Sequence, residues 1–162
     1  MRQVIRNRKI VGDDWVYADK DCAPSGGRTV LPLADYVATR VAGQVDAATL
    51  GVKLAPVDDE ESLKPYLADL PLVAVEFPNT GEGRGYTQAR LLRERLGYRG
   101  ELRAIGAVRV DQIWFLARCG FDVFDLTSGE DPAVAIAQLD RFSVVYQPGP
   151  DGLTQPRRRY GA

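Results

Sequence analysis

The sequence predicts an α/β fold, with alternating β-α units forming a mainly parallel sheet, open or half-barrel, like part of a TIM barrel. Three observations carry that expectation. From about Gly51 onward, short apolar runs alternate with longer segments of helical periodicity. Val73, Ala74 and Val75 stand in a row, as in a strand buried on both faces. Leu96-Gly97-Tyr98 and Cys119-Gly120-Phe121 share one ending: the helix stops, glycine takes the left-handed position, and an aromatic folds back on the last turn.

The elements follow in order. Strands are expected at Val52–Pro56, Leu72–Phe77, Leu102–Ile105, Val123–Leu126 and Ser143–Gln147. Helical patterns lie between them at Glu60–Ala68, Thr87–Leu96, Val110–Cys119 and Ala133–Asp140. Asp58 and Asp59 place negative charge before Glu60, where the helix macrodipole favours it. Asp131-Pro132 supplies an N-cap followed by proline at the first helical position. Residues 1–50 read as a less regular part of one α/β domain spanning 1–147. Within it, Trp15–Ala18 suggests a strand, Cys22–Arg28 a loop and Leu33–Val41 a helix after Pro32. Residues 148–162, with their prolines, glycines and Arg157-Arg158-Arg159, read as a mobile tail.

Composition narrows the function. The chain has 162 residues, 45% of them apolar, and no apolar run long enough for a membrane span. Arg2, Arg6, Arg8 and Lys9 are not followed by the apolar stretch of a secretory signal, so the cytoplasm is the expected location. A net charge of −1 argues against nucleic acid or an anionic membrane as partner. No histidine is present, which removes the usual general base and the commonest zinc ligand. Cys22 and Cys119 are too few for an iron–sulfur cluster within one chain. Neither a metal nor a cofactor is expected.

The candidate site begins at GEGRGYTQARLLRERLGY, Gly81 to Tyr98. In parallel α/β folds ligands sit where strand carboxyl ends feed helix N-termini. Gly83 and Gly85 permit positive φ, Thr87 suits an N-cap, and Arg84 offers a fork for two oxyanion oxygens. Gly83, Arg84, Gly85, Tyr86 and Thr87 are therefore the expected anion-binding residues; the alternative is a glycine-rich turn that serves only the turn. The segment is neither a P-loop nor a dinucleotide fingerprint. Glu76, Arg103 and Asp125 fall near the same sheet edge. They are candidates for catalysis, or else partners in structural ion pairs such as Glu76 with Arg103. Cys119, at a helix C-terminus, reads as a buried structural thiol. Between Arg84 and Arg118 eight arginines face three acids; Arg90 and Arg93, three apart, offer a partner surface or an ordinary solvated helix face.

The run Phe77-Pro78, Gly83-Arg84-Gly85-Tyr86, Ala89–Arg95, Gly100–Ala104, Asp111-Gln112 and Arg118–Asp122 resembles the bacterial domain of unknown function 934 family. That resemblance implies a role in assimilatory sulfur metabolism, beside sulfite reductase or another sulfate-assimilation enzyme. Ala107 stands where the family pattern has aspartate, and Arg109-Val110 where it has Leu-Arg. Two function classes follow: an accessory protein that binds an oxyanion or a protein surface, and a small enzyme acting on a phosphorylated or sulfur-oxyanion substrate. A half-barrel of this kind could pair with itself as a homodimer.

Overall fold

The computed structural model describes residues 2–18, 27–43, 45–142 and 145–150. Eight strands form one sheet in the order β2-β1-β8-β7-β6-β5-β4-β3. They are β1 (Gln3–Arg6), β2 (Lys9–Gly12), β3 (Val16–Tyr17), β4 (Thr29–Pro32), β5 (Leu50–Leu54), β6 (Leu72–Phe77), β7 (Glu101–Gly106) and β8 (Val123–Phe124). Neighbours from β3 to β8 run parallel and in sequence order, while β1 joins β8 antiparallel and turns back into β2. The sheet is thus mixed but mainly parallel, and curls as a half-barrel.

Alternation along each strand separates two faces. Val73, Val75 and Phe77 point to the helix side, joined by Val52, Leu54, Leu102, Ala104 and Phe124 in the main core. Leu72 and Ala74 point the other way, where Trp15, Val30 and Ile105 form a second cluster. Gly51 makes room there: a Cβ would sit 3.3 Å from the Trp15 ring and 3.0 Å from Leu72. The helices are α1 (Leu33–Ala42), α2 (Arg84–Arg90), α3 (Ile113–Arg118) and α4 (Pro132–Gln138). A π-turn over Leu91–Arg95 extends α2, and a short 3-10 turn over Val110–Gln112 leads into α3.

Several local signals read true. Gly97 and Gly120 adopt φ of 69° and 102° after their helices, and Tyr98 and Phe121 are buried behind them. Asp131 caps α4, accepting from Ala133 N at 2.8 Å with Pro132 next in line. Asp59 accepts from Glu61 N at 3.0 Å.

The differences have physical causes. The expected helix at Glu60–Ala68 is one 3-10 turn, Glu60–Leu63; Pro65 lacks an N–H and would clash with the carbonyl four residues back. The expected strand at Ser143–Gln147 is not found over 145–147, and 143–144 lie outside the described residues. The place beside β8 is taken by β1 instead. Residues 2–18 and 27–43 are more regular than expected, holding four strands and α1. Their hairpin turns at Asn7 and Arg8, both with positive φ (51° and 60°), the geometry two-residue hairpins need. Cys22, and the tail from residue 151, lie outside the described residues.

Candidate functional site

The anion turn is built differently from the expectation. α2 starts at Arg84, so Thr87 lies inside the helix and does not cap it. Gly83, at the N-cap, has φ −99°, and Gly81, Gly83 and Gly85 are not among the positive-φ glycines. Gly85 is required for packing: a Cβ would lie 2.6 Å from Phe77 Cζ and 3.0 Å from Val75 Cγ1. The helix N–H of Arg84 donates to Glu82 Oε1 at 3.0 Å. The Arg84 guanidinium, 65% exposed, stands 3.9 Å from the same carboxylate. Glu82 therefore supplies an internal anion at this helix start. Tyr86 packs edge-on against Phe77, with ring centroids 5.3 Å apart. Burial raises its pKa, with smaller contributions from Cys119 and Asp111.

The three catalytic candidates do share the helix-free face of the sheet, but each has its own partner. Glu76 pairs with Lys53 at 3.3 Å, not with Arg103, and both side chains are about one-third exposed. Asp125 is buried and paired with Arg2. Arg103 is completely buried. It donates to Asp13 Oδ2 at 2.7 Å, to Glu101 Oε1 at 2.7 Å and to the Tyr17 hydroxyl at 3.1 Å. Arg6 binds the other oxygen of Glu101 at 2.9 Å, so two arginines alternate with two carboxylates. Burial alone would lower the Arg103 pKa, but Tyr17, Asp13 and Glu101 outweigh it and hold the pKa above the usual arginine value. The Tyr17 hydroxyl is pushed up to about 12, mainly by burial. Asp13 and Trp15 come from the connection that crosses this face from β2 to β3. The strand expected at Trp15–Ala18 is β3, Val16–Tyr17, but nothing in the sequence marks Asp13, whose partner lies 90 residues away.

Arg90 and Arg93 do not form one surface. The π-turn begins at Leu91, with Leu96 N bonded to Leu91 O at 2.9 Å, and breaks the helical spacing between them. Arg90 faces outward, 51% exposed, paired with Glu94 at 3.0 Å. Arg93 turns inward. It donates to the carbonyls of Tyr98, Gly100 and Gly120 at 2.9 Å each, and to Asp122 at 3.0 Å. It is a clamp joining α2 to the turns before β7 and β8. Arg95, 67% exposed, pairs with Glu61 at 3.2 Å. Cys119 is half-buried at the end of α3. Among the described residues, no group of three or more His, Cys, Asp or Glu side chains is placed to hold a metal ion.

The model of a protein family described as "bacterial protein of unknown function (DUF934)" matches residues 51–156. The chain belongs to this family. No curated protein matches the sequence. The family region begins at β5 and includes α2, the Arg93 clamp and Arg103, whereas Asp13, Tyr17 and Arg2 precede it. The buried network on the helix-free face therefore joins the family region to the chain before it. No helix of the described residues is long and apolar enough to cross a membrane.

Proposed function

We propose that this DUF934 protein is an accessory component of assimilatory sulfur metabolism, working by binding beside sulfite reductase and not by carrying electrons itself. The sulfur context comes from the family resemblance. One observation supports binding over catalysis: each candidate catalytic group is already held by an opposite charge, Glu76 by Lys53, Asp125 by Arg2, and Arg103 by Asp13 and Glu101. Pairs of this kind serve the fold without needing any further role. Arg90 and Arg95 hold Glu94 and Glu61 only through solvent-exposed pairs, for which the carboxylates of an acidic partner would compete in contacts that weaken with salt. Deleting the gene in its source cell is expected to impair growth on sulfate but not on cysteine. Sulfite reductase should co-purify at low salt and be lost at high salt. Normal growth on sulfate, with no salt-sensitive co-purification, would reject the proposal.

An oxyanion at Gly83–Thr87 belongs to the same reading, and there it would displace the Glu82 carboxylate. Glu82→Gln should then strengthen the stabilisation by sulfate, and Arg84→Ala should remove it. A cytoplasmic location and self-pairing as a homodimer complete the proposal. The finer description of the sheet as a partial TIM barrel is supported by parallel strands in sequence order from β3 to β8.

The second reading is a small α/β enzyme acting on a phosphorylated or sulfur-oxyanion substrate. It is favoured by the Lys53–Glu76 pair, part-exposed near the carboxyl ends of β5 and β6, the edge where such folds place their chemistry. Loss of turnover of a candidate substrate in Glu76→Gln would favour it.

A further inference from the structure

At the opposite edge of the sheet, before β6 and β7, lies a cleft of about 780 Å³. Small-molecule sites usually occupy roughly 300–1,000 Å³. We infer that this cleft binds an organic anion: an apolar or aromatic body carrying a phosphate, sulfate or sulfonate group.

Its lining has both halves of that chemistry. Leu67, Leu70 and Leu96 supply apolar surface. Charged groups line it too, and most cancel. Glu61 is matched by Arg95 at 3.2 Å, and Asp69 by Arg40 at 2.7 Å. Lys64 and Arg99 remain, exposed and without an ion-pair or hydrogen-bond partner among the described residues. Two uncompensated cations beside apolar side chains suit a doubly charged oxyanion on an apolar body.

The walls are held in place before any ligand arrives. The Tyr98 hydroxyl lies 3.1 Å from Leu70 O and 3.2 Å from Glu101 O, so it ties the segment before β6 to the start of β7. Arg93 grips Tyr98 O and Gly100 O, fixing the turn that carries Arg99. Gly100 is required for this fit, since a Cβ would sit 2.3 Å from the Tyr98 hydroxyl and 2.7 Å from Leu70 O. A prearranged cleft loses less freedom on binding than a flexible one.

This inference stands apart from the sulfur role and needs neither a partner nor a growth phenotype. The test is a titration of the full-length, 15N-labelled chain with phenyl phosphate, followed by amide shifts. Saturable shifts should cluster at Leu67, Gly97, Arg99 and Gly100. The Lys64→Gln/Arg99→Gln variant, changed only at exposed side chains, should bind at least about tenfold more weakly. Inorganic phosphate, lacking the apolar body, should also bind about tenfold more weakly. No saturable shift by about 10 mM, shifts centred elsewhere, or unchanged affinity in the double variant would overturn the inference. So would a glutamate-rich peptide saturating these amides where phenyl phosphate does not, which would make the cleft a protein-docking site.

Discussion

Removing the Arg103 charge is expected to destabilise the fold strongly, and the partner left behind sets the size of the effect. In Arg103→Met, Glu101 keeps Arg6 at 2.9 Å, but Asp13 loses its only ion-pair partner among the described residues. The Asp13 side chain has no solvent exposure, so its carboxylate cannot recover hydration in place. Breaking a buried pair in this way costs roughly 3–5 kcal/mol. For a chain of this size that corresponds to a fall in Tm of roughly 10 °C. Arg103→Met/Asp13→Asn removes the stranded charge, and its amide oxygen can still accept from Trp15 N, now 3.3 Å away. Most of the loss should return. Urea unfolding of the wild type, both single variants and the double variant closes the cycle. A loss below about 1 kcal/mol in Arg103→Met, or a double variant no better than the sum of the singles, would refute the charge-balance reasoning.

The remaining predictions are more local. Gly85→Ala should cost about 1–3 kcal/mol through its clash with Phe77, whereas Gly83→Ala, with nothing within 4 Å, should be nearly neutral in urea unfolding. Tyr17 has its folded pKa raised to about 12 from 10.0, so its contribution is fully present below pH 10 and lost as pH rises from there to about 12. That contribution is at most about 2–3 kcal/mol, reduced by solvent screening of a half-buried ring; Tyr17→Phe should flatten the alkaline stability loss, and an unchanged slope would remove Tyr17 as its source. Arg93→Lys should destabilise measurably, since one ammonium cannot replace donors that reach three carbonyls and Asp122; an unchanged Tm would contradict the clamp. Cys119 should react with a thiol reagent more slowly in the native than in the denatured chain, followed by peptide mass spectrometry so that Cys22 is counted separately.

What could be read from sequence was local in origin. The runs that became β6 and β7, the glycines ending two helices and the Asp131-Pro132 start each depend on a few adjacent residues. The β1–β2 hairpin is equally local, with Val4-Ile5 and Ile10-Val11 flanking Asn7, but Arg8 takes the second turn position where glycine would mark such a turn in sequence. Pro65 was also in plain view inside the expected helix. By contrast, the roles of Arg93 and Arg103 were not legible. Arg93 turns inward because of a π-turn that no residue pattern announced, and Arg103 meets Asp13 across 90 positions of chain. Glu76, Arg103 and Asp125 were expected near one sheet edge, with Glu76 and Arg103 as a possible pair; in the structure Glu76 pairs with Lys53, and Arg103 with Asp13 and Glu101. Alternation fixes which side a strand residue takes, but a partner depends on which segments cross that side.

The central claim, binding beside sulfite reductase instead of catalysis, is tested most directly by complementation. A deletion strain growing on sulfate as sole sulfur source receives either the wild-type gene, Glu76→Gln, or Arg90→Glu/Arg95→Glu. All three changed side chains are at least one-third exposed, so soluble expression can be matched before growth is compared. Glu76→Gln should restore growth as the wild type does, and the charge-reversed variant should not. Growth restored by the charge-reversed variant but not by Glu76→Gln would contradict the account and place the function at the carboxyl edge of the sheet.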